Sequence, residues 1–275
     1  MMSTREASVG TSGSSGPLPA IDVDGMRVAY SDLVAVDALN FIAPPASITG
    51  VVGPNGSGKT SFLNAVTGAI PYQANSFTVF GADMKNASPE NMFRTGMSRT
   101  FQNLLLVDPL SVEENVGVGT SVDKSSGLVG SMLRSPRSRR ERKQRAAQVE
   151  TALELVGITE YRSEIVSRLP YGIRRRVEVA RALASEPKIM LLDEPTAGLG
   201  PDESLAFASL MTSLVEQLEI AVVVVEHDMA VVRSACDHVY VLFQGSLLAE
   251  GRPEDVLADE QVRKVYLGEF EHGPS

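Results

Sequence analysis

Disulfide partners and long apolar runs are what this sequence of 275 residues lacks. Its single cysteine, Cys236, cannot form an internal disulfide, which is typical of a reducing compartment; we expect a small buried apolar residue. The longest apolar run, residues 220–225, is too short to cross a bilayer, and residues 1–19 contain no apolar segment of a signal peptide. We therefore expect a chain that is neither secreted nor membrane-spanning.

An excess of positive charge is also absent. The net charge of −9 argues against general nucleic-acid binding, so no nucleic-acid partner is expected. The exception is local: residues 134–145 hold seven Lys or Arg against one acid, Glu141. This run is either a solvated helix with its preceding loop or a surface for anionic lipid headgroups. Residues 3–16 are rich in Ser, Thr and Gly, with Val9 as their one large apolar side chain, so residues 1–19 are predicted to be a disordered tail.

A phosphate-loop motif is the strongest signal that the sequence does contain. Residues 53–60 match G-x-x-x-x-G-K-[ST], with an apolar β-branched run (residues 48–52) before them and a helical run (residues 61–68) after them. In this strand–loop–helix arrangement, backbone N–H groups and the helix N-terminus surround a phosphate, Lys59 reaches the terminal phosphates, and the Thr60 hydroxyl holds Mg²⁺. The candidate nucleotide-binding residues are Gly53, Pro54, Asn55, Gly56, Ser57, Gly58, Lys59, Thr60 and Ser61.

The remaining pattern predicts an α/β protein. Short alternating runs within residues 21–41 predict two or three antiparallel strands in a separate small sheet, and residues 75–80 add another strand. Uniformly apolar runs predict buried parallel strands. In the rest of the chain we predict an extended segment at 97–102; helices at 112–118, 139–156, 174–184 and 203–218; buried strands at 188–192 and 220–225; and a hairpin at 239–249.

Polar side chains follow two of the predicted buried strands. Asp193 and Glu194 follow one of them, and Glu226, His227 and Asp228 follow the next. Because α/β sheets bind ligands at the carboxyl ends of their strands, Asp193 is expected to be a second Mg²⁺ anchor, and Glu194 to orient or deprotonate an attacking water. The alternatives are an ordinary acidic strand-end turn for Asp193 and Glu194 and a surface histidine for His227.

Together these motifs resemble those of the ATPase subunits of ABC transporters, over residues 20–268. The resemblance implies a P-loop ABC ATPase core with an antiparallel β subdomain and a helical subdomain, and ATP and Mg²⁺ as cofactors. It assigns Gln102 to a loop that contacts Mg²⁺ and the membrane partner, and His227 to the γ-phosphate. Tyr30, 29 residues before Lys59, would stack on adenine, although a half-buried strand tyrosine is the alternative. The implied limits are 20–95 for the β subdomain and the phosphate-loop part of the core, 96–170 for the helical subdomain, 171–250 for the signature helix and the remaining core, and 251–275 for C-terminal helices and tail.

The signature sequence departs from the family's common form, L-S-G-G-Q. Residues 169–173, Leu-Pro-Tyr-Gly-Ile, keep the second glycine, Gly172, which would face the nucleotide of a second ATPase subunit. Pro170 has neither a hydroxyl nor an N–H group, and Gly200 replaces a usual Asp or Asn. A weaker ATP site is therefore expected where this signature completes it.

Within the family, the chain resembles the branched-chain amino-acid importers, a similarity based on Arg99 to Gln102, the insert after Val116, the Tyr171-Gly172 signature and the closing residues 265–268. The implied partners are transmembrane permease subunits, a second ATPase subunit in a hetero- or homodimer and, indirectly, an extracellular solute-binding protein. The implied location is peripheral, at the cytoplasmic face of the cell membrane. Importers of urea or amides, a soluble ABC ATPase and a catalytically weak regulatory subunit stay open as alternatives.

Overall fold

The computed structural model describes residues 17–100, 106–120 and 136–267. Within these residues the chain forms ten strands and nine α-helices, close to the predicted bounds. The strands are β1 (Ile21–Tyr30), β2 (Leu33–Ala43), β3 (Ile48–Val52), β4 (Ser76–Val79), β5 (Ala82–Asp83), β6 (Met97–Arg99), β7 (Ile189–Asp193), β8 (Ala221–Glu226), β9 (His238–Phe243) and β10 (Ser246–Gly251). The helices are α1 (Lys59–Val66), α2 (Pro89–Arg94), α3 (Val112–Gly119), α4 (Pro136–Leu155), α5 (Tyr171–Leu183), α6 (Pro201–Leu218), α7 (Met229–Ala235), α8 (Pro253–Ala258) and α9 (Glu260–Leu267).

The central layer is a six-stranded sheet of order β10-β9-β3-β8-β7-β6. Five of these strands are parallel, and β10 pairs with β9 in an antiparallel hairpin, as predicted for residues 239–249. Every residue of β3, β7 and β8 is buried, because helices or a second sheet cover both faces of these uniformly apolar strands. The predicted buried parallel strands are thus confirmed.

A separate antiparallel sheet of order β2-β1-β4-β5 covers one face, as the alternating runs predict. Helix α1 lies between the two sheets. Phe62 of α1 packs against Phe41 of β2, and Phe41 packs against Tyr240 of β9, both with ring centroids 4.7 Å apart. This buried aromatic cluster holds the helix that follows the phosphate loop in a fixed position.

The other face of the central sheet packs against α3, α4, α5 and α6, whose apolar residues form one buried cluster with β7 and β8. Strand β6, within the predicted helical subdomain (96–170), pairs with β7 in the core sheet. Helix α5, which follows that subdomain in the chain, packs on α3 and α4. The subdomain limits stay predictions.

The predicted start of the signature helix at residue 174 is wrong. Helix α5 begins at Tyr171, and the carbonyl oxygen of Pro170 accepts the first intrahelical hydrogen bond, from the Arg174 N–H group, at 3.0 Å. Proline has a backbone angle suited to a helix start and needs no hydrogen-bond partner for its nitrogen, so the helix extends back to it. Gly172 therefore lies in the first turn of α5.

Cys236 is partly buried, and its sulfur lies over Gly50 of β3, where a Cβ atom would be 3.0 Å away. Burial, with the neighbouring carboxylates of Asp237 and Glu226, raises the pKa of its thiol to about 12. A neutral thiol packed on a strand has the structural role that the sequence suggests.

Candidate nucleotide site

The carboxyl ends of four parallel strands meet at one edge of the central sheet. Val52 at the end of β3 is in register with Glu226 at the end of β8, and Val225 is in register with Asp193 at the end of β7. Arg99, the last residue of β6, is in register with Leu191. The phosphate loop, Glu194 and His227 therefore all leave the sheet on this edge, where ligands bind in α/β proteins.

The phosphate loop depends on glycine at two positions. Gly53 (φ +149°) and Gly58 (φ +104°) have left-handed backbone angles, and a Cβ atom on either would lie 2.2 Å from a carbonyl oxygen, of Leu242 and Ala35 respectively. Any other residue would push the loop away from β9 or β2. Gly58 also precedes α1, whose N-terminus has no side-chain cap, so its first N–H groups can bind an anion.

Lys59 lies within the loop and is only 5% exposed. Its Nζ donates hydrogen bonds to the carbonyl oxygens of Gly53 at 2.7 Å and Pro54 at 2.9 Å. Burial lowers the pKa of Lys59, while the negative charges of Glu194 and Asp193 act in the opposite direction. The ammonium group is thus held at the loop by neutral carbonyl oxygens, which an anionic phosphate can replace.

Asp193 is held by a residue that the sequence analysis did not assign to the site. Its Oδ2 accepts a hydrogen bond from Arg99 Nη2 at 2.9 Å, in an ion pair whose side chains are 3% and 10% exposed. Arg99 Nη1 also donates to Asn64 Oδ1 at 2.7 Å and Thr67 Oγ1 at 3.3 Å, both from the α1 segment. Arg99 therefore fixes the carboxylate of β7 relative to the helix after the phosphate loop.

The donor groups fit a Mg²⁺ ion that takes most of its ligands from phosphate and water. The Oδ1 atom of Asp193 is buried and has no hydrogen-bond partner among the described residues, and Thr60 is exposed in the first turn of α1. The described ranges contain no cluster of three or more His, Cys, Asp or Glu that could hold a metal by itself. Few protein ligands are typical of Mg²⁺ at nucleotide sites. Gln102 lies outside the described residues.

Glu194 and His227 lie on the loops that follow β7 and β8, which are neighbouring strands of the central sheet. Glu194 has a left-handed φ of +48°, and its N–H group donates to the Val225 carbonyl oxygen at 2.9 Å. The His227 side chain is 57% exposed, and its backbone N–H group donates to Glu226 Oε2 at 3.1 Å. Both side chains thus start from backbone that is fixed to β8.

Tyr30 is the last residue of β1 and is 45% exposed. Its hydroxyl donates to Ser61 Oγ at 3.4 Å, in the first turn of α1. The exposed ring therefore lies near the start of the helix that follows the phosphate loop, where a nucleotide base could stack on it.

The nearest neighbours of Gly172 beyond α5 come from the segment that starts α6, not from the phosphate loop. Beyond α5, a Cβ atom on Gly172 would have Leu199 and Glu203 as its nearest neighbours, the closest being Glu203 Oε1 at 3.1 Å. Helix α5 has no side-chain cap at Pro170, and Tyr171 beside it is 39% exposed. The first backbone N–H groups of α5 thus have no side-chain cap, and the neighbours of Gly172 belong to the segment that starts α6.

The fold and the site define an ATP-binding cassette: a phosphate loop and a strand-end carboxylate on a mostly parallel sheet, with an antiparallel sheet on one face and helices on the other. The comparisons agree. The family model for the ABC transporter matches residues 36–197, and a model for the branched-chain amino acid ATP-binding cassette transporter matches residues 246–272. The chain belongs to the ABC transporter family.

Named relatives cover nearly the whole chain. The "high-affinity branched-chain amino acid transport ATP-binding protein LivG" of Escherichia coli K12 is 33% identical over 91% of this chain and 98% of its own length. BraF of Pseudomonas aeruginosa, with the same description, is 32% identical over the same shares. The lipopolysaccharide export ATP-binding protein LptB of Haemophilus influenzae is 29% identical over 90% of this chain and 97% of its own length.

Solved structures agree with this assignment. A nucleotide-free ATP-binding cassette of an ABC transporter has a TM-score of 0.78 at 25% identity, covering 90% of this chain and 99% of that structure. The ADP conformation of another cassette has a TM-score of 0.79 at 26% identity, covering 91% and 99%. The chain is thus a nucleotide-binding ATPase of a family that works with membrane permeases. Among the helices of the described ranges, we find none with the length and apolar character needed to cross a membrane.

Proposed function

We propose that this chain is the ATPase subunit of an importer for branched-chain amino acids, bound to permease subunits at the cytoplasmic face of the cell membrane. The match of residues 246–272 to a model specific for branched-chain amino acid transporters carries the proposal. Similarity to LivG and BraF over 91% of the chain supports it.

Different residues at the sheet edge bind the phosphates, stack on the adenine and catalyse hydrolysis. The N–H groups of residues 53–61 and the Lys59 ammonium bind the phosphates, and Tyr30 stacks on the adenine. Glu194 orients the attacking water and accepts its proton, and His227 contacts the γ-phosphate. The left-handed backbone of Glu194 and the hydrogen bond of His227 to Glu226 support these roles, because both start their side chains from fixed positions.

Thr60, Asp193 and Gln102 are the residues that would hold Mg²⁺. When bound, the ion neutralises charge on the phosphate oxygens. The buried Oδ1 atom of Asp193, which has no partner in the described ranges, supports this assignment. Arg99 donates a hydrogen bond to Oδ2 of Asp193, so Oδ1 is the carboxylate oxygen that would face the ion.

A second ATPase subunit completes the site. Gly172 and the N-terminus of α5 face the nucleotide of that subunit, which is supported by their separation from the phosphate loop of the same chain. Closure of the two subunits on ATP then drives the permease, and Gln102 with the helical layer transmits the movement. The second subunit is either another copy or a different ATPase whose signature contains serine. A solute-binding protein outside the cell would deliver the cargo.

Uptake by the reconstituted transporter tests the proposal. The chain is purified through a tag together with its permease, placed in liposomes with ATP inside, and supplied with the solute-binding protein and labelled leucine or urea. We expect leucine uptake that stops with Lys59→Met. Urea uptake would establish the amide-importer alternative, and co-purification with ribosomes instead of membrane proteins would establish a soluble ABC ATPase.

A further inference from the structure

Glu226 is a buried carboxylate at the centre of the sheet edge, and the roles above assign it no function beyond its hydrogen bond to the His227 backbone. It is the last residue of β8, is 0% exposed, and is in register with Val52, the residue before the phosphate loop. The sequence pattern places it among the polar residues after a predicted buried strand, but gives it no role. Its place among the loops requires a physical reason.

All hydrogen bonds of Glu226 in the described ranges go to the two neighbouring loops. Oε1 accepts from the N–H group of Thr196 at 3.0 Å and from the Thr196 hydroxyl at 2.7 Å. Oε2 accepts from the N–H group of His227 at 3.1 Å. Thr196 is itself 4% exposed and lies two residues after Glu194. One carboxylate thus joins the loop of Glu194 to the loop of His227.

Stability alone does not account for this side chain. In the described part of the chain Glu226 has no Lys or Arg partner; its one ion-pair distance is to the His227 imidazole, with Nδ1 at 3.9 Å, and that group is charged only when protonated. A buried charge without a cation has a large desolvation cost, which an apolar side chain of similar size would avoid. The carboxylate instead fixes the relative position of two loops, because each of its oxygens accepts hydrogen bonds from a different loop.

We propose that Glu226 is a positioning residue of the ATPase site: its carboxylate holds the Thr196 turn and the His227 backbone in one arrangement, so that Glu194 and His227 face the same phosphate. The inference rests on the proposed function and adds to it the element that couples the two loops. Without Glu226 each loop would keep its own strand, and Glu194 its backbone bond to Val225, but the Thr196 turn would lose its link to the loop of His227.

Glu226→Gln is the direct test, because it keeps the size of the side chain. One oxygen becomes an NH₂ group, which must face a donor N–H group of either Thr196 or His227, so one link is lost. In the purified complex with its permease we expect kcat to fall about tenfold or more, since hydrogen bonds to a charged group are strong. The KM for ATP should stay within about twofold, because the phosphate loop is untouched.

Thr196 supplies the second variant. Thr196→Val removes the hydroxyl bond but keeps the backbone bond, so kcat should fall less than with Glu226→Gln. The double variant should lose less than the product of the two single losses, because both changes act on the same contact. Thr196→Ser keeps the hydroxyl and should restore most of the activity.

NMR of the histidines, of which the chain has three, gives a measurement that does not depend on ATP turnover. In the full-length chain labelled at histidine, Glu226→Gln should change the chemical shift of the His227 imidazole NMR signal and leave that of His238 unchanged. Asp237→Asn is the matched control: Asp237 Oδ2 accepts from the Ile48 N–H group at 2.8 Å at the opposite end of the same sheet. It should lower thermal stability without changing kcat or the His227 signal.

Three quantities decide the outcome: kcat, KM and the His227 NMR signal of the Glu226→Gln variant. A lower kcat with unchanged KM and a shifted His227 signal supports the inference. Wild-type kcat in Glu226→Gln overturns it, and so does a loss of stability with kcat per folded molecule unchanged, or a loss of kcat with the His227 signal in place. If the wild-type complex itself does not hydrolyse ATP, the proposed function fails, while the NMR signal still decides whether Glu226 fixes His227.

Discussion

Pro170 is the residue at which this chain differs most clearly from the common signature. It precedes α5, where a serine would offer its hydroxyl both to the first turn of the helix and to a nucleotide across the subunit interface. We expect Pro170→Ser to raise the ATPase rate of the assembled transporter by about threefold or more, part of what a hydrogen bond to a charged phosphate can contribute.

Pro170→Ala is the matched control for this change. Alanine restores the backbone N–H group but has no hydroxyl, so an increase seen only with serine assigns the effect to the side chain. An unchanged rate in the serine variant would show that the missing hydroxyl does not limit this site.

The buried ion pair between Arg99 and Asp193 should stabilise the fold. Arg99→Met leaves Asp193 buried and without its partner, so we expect the free energy of unfolding to fall by about 3–5 kcal/mol in denaturant titrations. Arg94→Met is the control, because the Arg94–Glu90 pair is exposed, with side chains 68% and 52% accessible, and such pairs contribute about 0–1 kcal/mol. Equal losses in the two variants would contradict the account.

Some site residues could be predicted from the sequence and others could not. Asp193, Glu194 and His227 follow apolar strands, and carboxyl ends of parallel strands share one edge, so their convergence could be expected. Arg99 ends a strand of three residues, and Glu226 ends an apolar run, so neither has a pattern that separates it from an ordinary surface charge. Only their burial and partners, which depend on distant segments, give them a role.

At the scale of elements, the close approach of α3 to α5 depends on one glycine. A Cβ atom on Gly119 would lie 1.9 Å from the carbonyl oxygen of Arg181, whereas one on Gly117 would meet only a methyl group of Val149 at 3.9 Å. We expect Gly119→Ala to reduce the free energy of unfolding by about 1–3 kcal/mol, because backbone must move. Gly117→Ala should increase it by about 0.5–1 kcal/mol through helix propensity.

Denaturant unfolding of the two alanine variants checks this prediction on neighbouring positions of one helix. The same variants report on function, since a displaced α5 would move Gly172. If Gly119→Ala were as stable as Gly117→Ala, the tight packing of α3 on α5 would be refuted.

Element types were easier to predict than element limits. The buried strands follow from uniformly apolar runs, and the small antiparallel sheet follows from alternation. The predicted start of α5 lies three residues late, because Pro170 permits a helix directly after it. The pairing of β6 with β7 could not be predicted, because three residues contain too little pattern.

At the scale of the whole molecule, three layers bring distant segments to one edge. The phosphate loop is held between the sheets by α1, and the signature helix belongs to the opposite layer. The phosphate loop and the signature helix therefore lie in different layers, which supports the proposal of a site shared between subunits. The basic run is only partly described: Arg140, Arg142, Lys143 and Arg145 of α4 are exposed, and Arg134 lies outside the described ranges. Lipid contact by this run stays a prediction.

The most direct test of the central claim, that the strand ends form an ATPase site, is turnover by the purified complex with Glu194→Gln. The account predicts that ATP hydrolysis falls by about a hundredfold or more, since a general base contributes about 10²–10⁴, while ATP binding measured without turnover stays intact. Asp237→Asn, at the other end of the sheet, should leave turnover unchanged. Hydrolysis at the wild-type rate in Glu194→Gln would contradict the account.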